Sequence, residues 1–253
     1  MPRILPVRPL LILLAAALVL PGCSTLKVQE GDSAQTILKK AAKARKKGLH
    51  SKAINSYQKL ESFYPYSREA VQAQLQIPYT YYLKGDAVAA AHAADRFLRL
   101  HPRSPHADYA QYLKGISRYA QIGSPRRDPE QARKAVDAFA RLARQHPDSP
   151  YVPDALQRTQ KARRILARHE LVVARYYFER GAYVGAAKRC HRVIAEFQDT
   201  VAVERALGLL ARSYARLRLP QLAEDTVAIL EHNFPDSDHL SATRSAVRAL
   251  DAG

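Results

Sequence analysis

The sequence lacks the features that would indicate an enzyme or a β-sheet protein. It has no Gly-rich phosphate-binding loop and neither the HExxH nor the GxSxG motif of hydrolases. Alternating Val-, Ile- and Thr-rich stretches are also missing, so helix is the expected structure of this alanine-, arginine- and leucine-rich chain. With 253 residues, 47% of them hydrophobic, the chain is long enough to bury a substantial core. We therefore expect an all-α protein without catalytic residues.

The N-terminal hydrophobic run is too short to cross a membrane. Leu10 to Leu20 is an uncharged run of eleven residues, whereas a transmembrane helix needs about 20. The run follows Arg3 and Arg8 without any acidic residue, as in the hydrophobic segment of a secretory signal. The sequence therefore predicts export.

The segment after this run, Leu20-Pro21-Gly22-Cys23-Ser24, resembles the lipobox of bacterial lipoproteins. In that motif the cysteine is diacylated and becomes the mature N-terminus, which predicts a signal peptide over 1–22 and a lipidated tether over 23–33. Several acyl chains would anchor the protein to the membrane without spanning it. The serine after Cys23 resembles the pattern sorted to the outer membrane. An ordinary signal peptide with an incidental cysteine is the alternative, and no cofactor is expected besides the lipid on Cys23.

Basic residues greatly outnumber acidic ones. The chain has 40 Lys and Arg against 23 Asp and Glu, a formal charge of +17. This balance would suggest a nucleic-acid partner, but an exported protein meets no chromosomal DNA, so none is expected. Anionic lipid headgroups and acidic proteins remain as candidates, and a solvated basic surface is the alternative.

An internal repeat determines the predicted architecture. Pro65, Pro102, Pro147 and Pro235 each lie twelve residues after an alanine, and a further copy ends at Gln198. The repeated alanines are Ala53, Ala90, Ala135, Ala186 and Ala223. Three of them follow a turn glycine by five residues, namely Gly48, Gly85 and Gly181. The spacing matches the 34-residue tetratricopeptide unit, in which alanine lies where paired helices cross. We predict an α-solenoid of five repeats, at 34–67, 71–104, 107–149, 151–200 and 204–237.

Three irregularities interrupt the repeat. An insertion in the third repeat lies near 123–129, with Asp128 as the expected N-cap and Pro129 as the first helical residue. The stretch from Tyr151 to Arg180 has no Gly and has Pro only at its start, which predicts one long helix linking an N-terminal half, 34–149, to a C-terminal half, 150–253. Pro78 falls inside a predicted helix, where proline costs about 3 kcal/mol or a kink.

Tyrosines dominate the inward-facing positions of the N-terminal repeats. The predicted substrate groove comprises Tyr79, Tyr82, Tyr109, Tyr112 and Tyr119, with Arg45 and Lys46 as its basic edge. Tyrosine suits the binding of extended peptides, because it combines a large apolar ring with a hydroxyl group. A positive edge would attract a terminal carboxylate. The alternative is that these tyrosines belong to the core between repeats.

Few other residues suggest chemistry. His101, His106 and Asp108 are close in sequence, but His101 occupies the position before a repeat proline, so no metal site is predicted. Cys190 takes an apolar packing position of the repeat and is expected to be a buried thiol without a partner.

Four segments carry a likeness that extends over nearly the whole mature chain. They are FYPYS at 63–67, ADRFLRLHPRSPHADYAQYLKG at 94–115, Arg127-Asp128-Pro129 with Ala132, and YYFERGAYVGAAKRCHRVIAEFQDT at 176–200. Together with the lipobox they resemble the BamD family, the lipoproteins of the β-barrel assembly machinery.

The resemblance implies a non-enzymatic scaffold on the periplasmic face of the outer membrane. It implies that the C-terminal repeats bind BamA, through its POTRA domain nearest the barrel, and that BamC and BamE are further partners. The N-terminal groove would recognise unfolded outer-membrane β-barrel proteins, whose C-terminal signals end in an aromatic residue and a carboxylate. Another repeat lipoprotein, such as a secretin pilot or a cell-wall coordination factor, is the alternative.

The resemblance also implies which residues bind BamA. Arg189 and Arg180 match basic positions at the BamA-facing end of the family, and Tyr176 lies in the same segment. An exposed arginine that is merely solvated is the alternative for Arg189.

Overall fold

The structure is a computed structural model that describes residues 26–251. The predicted signal peptide and the lipidation site Cys23 lie outside the described residues. Within this range the chain forms eleven α-helices and no β-strand. None of these helices is both long and apolar enough to cross a membrane. The all-α prediction is confirmed.

Ten of the helices form five consecutive pairs, one for each predicted repeat. They are α1 (Ala34–Lys46) and α2 (His50–Phe63), α3 (Arg68–Leu83) and α4 (Ala87–Leu100), α5 (Ala107–Tyr119) and α6 (Glu130–Gln145), α7 (Val152–Glu179) and α8 (Tyr183–Glu196), and α9 (Ala202–Arg216) and α10 (Pro220–Asn233). A further helix, α11 (Leu240–Asp251), follows the last pair. The tetratricopeptide-repeat fold and the long helix α7 are confirmed.

The turns inside four of the five pairs depend on a left-handed backbone. Gly48, Gly85 and Gly181, the three predicted turn glycines, have φ of 74°, 83° and 76°. The fifth pair has no glycine at this point, and Arg218 takes the left-handed conformation instead, with φ of 57°. A residue with a Cβ is strained in this region. In the third pair the insertion replaces the tight turn.

The repeated alanines lie where the sequence places them. Ala53, Ala90, Ala135, Ala186 and Ala223 are all completely buried. Close helix approach also explains Gly115 on α5, where an added side-chain carbon would overlap the ring of Phe139 on α6. Small residues at these positions let the helix axes come near one another.

The described residues form two compact units, with the boundary between Gln76 and Ile77, inside α3. The predicted halves divide elsewhere, between 149 and 150. In the first unit, part of the predicted tether is packed: Leu26 and Val28 are buried. The hydroxyl group of Tyr64 donates a hydrogen bond to the backbone carbonyl of Asp32 at 2.9 Å. The segment 26–33 therefore folds against the first repeat.

In the second unit each helix from α4 to α9 packs against the next one along the chain. Helix α11 packs on α9 and α10, and α7 reaches beyond its neighbours to α5 and α9. This succession of neighbour contacts is the arrangement of an α-solenoid.

Side-chain caps mark the starts of two helices, and one predicted start is corrected. Helix α3 begins at Arg68, where the Ser67 hydroxyl accepts a hydrogen bond from the Ala70 N–H at 3.0 Å. Helix α6 begins at Glu130, one residue later than predicted, although Asp128 still accepts a hydrogen bond from the Glu130 N–H at 2.9 Å. Helix α3 continues through the buried Pro78.

The sequence-based prediction missed α11, which follows the last predicted repeat. Thr243 and Val247 are buried on one face of this helix, and Val247 joins an apolar cluster with Ala211, Ala215 and Ala223. Their spacing of four residues is the signal that would have indicated a helix.

The turn geometry predicts opposite effects for two substitutions. Gly181→Ala should lower the free energy of unfolding by about 1–2 kcal/mol, because alanine is strained at positive φ, and nothing lies near enough for a clash to contribute. Arg218→Gly should raise it by about 0.5–1 kcal/mol by relieving the same strain. Urea unfolding of both variants measures this. A loss of stability in Arg218→Gly would contradict the strain at this turn.

Candidate functional site

The structure brings the five predicted groove tyrosines together. Tyr79, Tyr82, Tyr109, Tyr112 and Tyr119 are all half-buried and pack against one apolar cluster formed by α4 to α7. Tyr151, which the prediction missed, joins them: its ring is 5.2 Å from that of Tyr109 and is stacked on that of Tyr112 at 4.8 Å. We call these six residues the aromatic cluster. Each ring packs against the core and remains partly exposed, and the substrate role of these tyrosines stays a prediction.

A hydrogen-bonded chain leads from the aromatic cluster to a cation on α7. The Tyr112 hydroxyl donates to Asp154 Oδ2 at 2.7 Å, and Arg158 Nε donates to the same oxygen at 2.5 Å. Burial, and then the hydrogen bond to Asp154, raises the pKa of Tyr112 to about 12. The hydrogen bond from Arg158 lowers the pKa of Asp154.

Arg158 supplies a positive charge beside the tyrosines that the sequence-based prediction missed. Its guanidinium carbon lies 5.5 Å from the centre of the Tyr119 ring, within the range of a cation–π contact. The signal available in the sequence was the spacing of Asp154 and Arg158, which are four residues apart on one helix face.

The predicted basic edge lies in the other compact unit. Arg45 is half-buried beside the buried Tyr57; burial raises the pKa of Tyr57, and Arg45 opposes that rise. Lys46 is exposed at the end of α1. The role of Arg45 and Lys46 at the edge of a groove stays a prediction.

The predicted BamA-binding residues divide into two groups. Tyr176 is half-exposed, and the guanidinium of Arg180 lies over its ring at 4.5 Å. Arg189 instead contacts the interior: its Nη1 donates to Glu170 Oε2 at 2.9 Å. That hydrogen bond is the main reason why the pKa of Arg189 is raised. About a third of the Arg189 side chain remains exposed.

Glu170 is a buried carboxylate surrounded by arginines from two other helices. Its side chain is 3% exposed and pairs with Arg189 and Arg192 of α8 and, at 3.6 Å, with Arg133 of α6. We call these four residues the Glu170 cluster. Ion pairs of this kind compensate the cost of burying a charge only while the partners remain in place. The signal in the sequence was a lone acid in a strongly basic stretch.

The remaining candidate residues have structural roles. The His101 ring packs on Phe97 at 5.0 Å, and Asp108 accepts a hydrogen bond from the Ser149 hydroxyl at 2.8 Å. Across residues 26–251 no group of three or more His, Cys, Asp and Glu side chains could hold a metal ion. Cys190 is completely buried, and burial raises the pKa of its thiol to about 12.

Removing the charge of Glu170 should destabilise the protein strongly. Glu170→Gln leaves the arginines of α6 and α8 without their buried partner, so the free energy of unfolding should fall by about 3 kcal/mol or more. Glu130→Gln, at an exposed position with one neighbouring lysine, is the matched control and should change it by less than about 0.5 kcal/mol. Denaturant unfolding measures both. Equal effects would show that the Glu170 cluster contributes little.

The pKa of Tyr112 predicts an alkaline loss of stability. Because this pKa is about 12 in the folded protein, above the ordinary value of 10.0, the stabilisation is complete below pH 10 and is lost as the pH rises towards 12. Tyr112→Phe should therefore lose less stability than the wild type between pH 10 and 12. Denaturant unfolding across this range provides the comparison. Parallel curves for the two proteins would contradict the elevated pKa.

Comparison with known proteins places the chain in a family. Residues 30–230 match the YfiO family, whose members are described as outer membrane lipoproteins. The outer membrane protein assembly factor BamD of Neisseria gonorrhoeae is 36% identical over 251 residues, which cover 92% of this chain and 94% of that one. The BamD of Haemophilus influenzae is 32% identical over 238 residues, 90% of each chain.

Among solved structures, a tetratricopeptide-repeat protein of Thermus thermophilus covers 85% of this chain and 99% of its own, with 16% identity and a TM-score of 0.37. The sequence matches, by contrast, extend over most of both chains at more than 30% identity. The resemblance stated from the sequence is confirmed: the chain belongs to the BamD (YfiO) family of outer membrane lipoproteins.

Proposed function

We propose that the protein is a non-enzymatic component of the machinery that assembles β-barrel proteins in the outer membrane. The observation that carries this proposal is the match, over about nine-tenths of both chains, to relatives named as outer membrane protein assembly factors. These names favour barrel assembly over the alternative of a secretin pilot or a cell-wall coordination factor. The chain would act by binding and holding other proteins.

We further propose that a lipid on Cys23 holds the protein on the periplasmic face of the outer membrane. The lipobox around Cys23 and the description of the family as an outer membrane lipoprotein support this anchor. No other cofactor is part of the proposal. Residues 26–33 fold against the first repeat and follow the proposed lipidation site closely in sequence.

The proposed docking surface for the POTRA domain of BamA consists of Tyr176, Arg180 and the outer edge of Arg189. Tyr176 and Arg180 form a half-exposed aromatic–cation pair, a composition that is enriched where protein interfaces concentrate their binding energy. Arg189 has further N–H groups that could donate to a partner, because a guanidinium carries five of them and Glu170 accepts from Nη1. BamC and BamE are proposed as further partners.

The proposed substrate site is the aromatic cluster. The exposed edges of its tyrosines could stack on an aromatic C-terminal residue of an unfolded barrel protein, and Arg158 would attract the terminal carboxylate. Arg45 and Lys46, which lie in the first compact unit, stay a separate proposal as a basic edge that would attract a terminal carboxylate.

Co-purification tests the assembly role and the docking surface together. Wild type, the double variant Tyr176→Ala with Arg180→Glu, and the control Arg141→Glu would be isolated from detergent-solubilised membranes. Arg141 is an exposed residue of α6, so the control matches the charge change. Arg189→Glu is unsuitable because it would place a second carboxylate against Glu170. The wild type and the control should recover a POTRA-containing barrel protein. The double variant should recover less of it by a factor of about ten or more.

The other outcomes separate the two parts of the proposal. If wild type recovers no POTRA-containing protein, the assembly role is wrong. If the double variant recovers as much as wild type, the assembly role stands and the docking surface lies elsewhere.

A further inference from the structure

A basic groove of about 810 Å³ lies in the second compact unit. It is bounded by α7, α9, the start of α11 and the insertion loop between α5 and α6. We call it the arginine groove, after the basic residues in its lining: Arg126, Arg168, Arg175, Arg205 and Arg212. Among the described residues, its lining has a single carboxylate, that of Glu179.

The arginines of the groove form two rows. Arg168 and Arg175 are seven residues apart on α7, and Arg205 and Arg212 are seven residues apart on α9. Two turns of helix place the members of each row on one face, about 10 Å apart along the axis. The lining also contains the apolar residues Leu171, Val172, Leu209 and Ala242. An apolar floor is thus combined with regularly spaced positive charges.

These charges have little compensation within the described part of the chain. Arg126, Arg168, Arg175 and Arg205 make no side-chain hydrogen bond or ion pair there. Within residues 26–251, Arg212 donates only to the backbone carbonyl of Gly208 on its own helix, and it lies over the ring of Phe178 at 5.4 Å. The arginines of the Glu170 cluster, in contrast, share a buried carboxylate. The groove therefore presents a positive field that attracts anions.

The walls of the groove are held in place by specific contacts. The Nδ1–H of His169 on α7 donates to the carbonyl of Pro125 at 2.8 Å, which attaches the insertion loop to the long helix. On the opposite side α11 approaches α9 at Gly208, where an added side-chain carbon would lie 3.1 Å from Thr243 Oγ1. The groove is therefore formed before any ligand binds, which reduces the entropic cost of binding.

We propose that the arginine groove binds an acidic amphipathic segment of a partner protein. Carboxylates seven residues apart on a helical segment would match the spacing of each arginine row, and its apolar residues would cover the floor. A small inorganic anion would leave that floor exposed to water. The site is separate from the proposed substrate site, and it shares only Tyr176 with the proposed BamA-docking surface.

Peptide binding to the full chain in detergent micelles tests this proposal directly. The probe is a fluorescent amphipathic peptide of about 14 residues, four turns of helix, with glutamates and leucines on adjacent faces. Its twin carries glutamine in place of every glutamate. The glutamate peptide should bind, more weakly as salt is added, and the glutamine twin should bind about tenfold more weakly or not at all.

Charge reversal locates the site. Arg168→Glu with Arg205→Glu should weaken binding of the glutamate peptide about tenfold or more, and the second pair Arg126→Glu with Arg175→Glu should do the same. Arg141→Glu with Arg144→Glu, on the exposed side of α6, changes the total charge equally and should leave binding almost unchanged. The four substituted arginines are exposed and make no side-chain hydrogen bond or ion pair within residues 26–251, so these variants should keep the wild-type melting temperature.

Three outcomes would overturn the proposal. Equal weakening by the control pair would show non-specific attraction to the total charge. Equal binding of the glutamine twin would show that carboxylates are not recognised. If the groove variants bind the glutamate peptide normally but lose binding to phosphatidylglycerol vesicles, the groove is a lipid-headgroup site. Each readout uses a purified peptide or vesicle, so failure here is distinguishable from failure of the co-purification experiment.

Discussion

The buried carboxylate of Glu170 is the interaction on which the second compact unit depends most. It lies in the second half of α7, and its ion pairs reach Arg133 on α6 and both Arg189 and Arg192 on α8. A charge can remain in such a place only if its partners stay in position, so the three helices are constrained as a group. Apolar packing alone would allow them more freedom to slide, because hydrophobic contacts are not directional.

Helix α7 carries residues of three surfaces along its length. Near its N-terminal end, Asp154 and Arg158 contact the aromatic cluster. In its second half, Arg168 and Arg175 form one wall of the arginine groove. Near its C-terminal end, Tyr176 stacks with Arg180. A helix of 28 residues is about 42 Å long. The three surfaces are therefore spaced along one long helix.

The repeat architecture could be predicted from the sequence because it depends on local chemistry. The turn glycines and crossing alanines are required by backbone conformation and by the distance between helices, and both leave a fixed spacing in the chain. Glu170 and Arg158 left weaker signals in the sequence, because the ion pairs of Glu170 and the contact of Arg158 with Tyr119 join residues distant in sequence. For Arg189 the family likeness implies a contact with a partner, and the structure adds an ion pair with Glu170 while about a third of the side chain stays exposed. Helix α11 was missed because no repeat signature marks it.

Amide hydrogen exchange along α7 tests most directly whether the Glu170 cluster makes α6, α7 and α8 one unit. In the wild type, the buried amides from Ala162 to Ala174 should exchange only through an opening reaction, and its free energy should be the highest in the second compact unit. In Glu170→Gln, protection should fall together in all three helices. Independent opening of the two halves of α7 in the wild type, or a loss of protection confined to the turn around position 170 in the variant, would contradict this role.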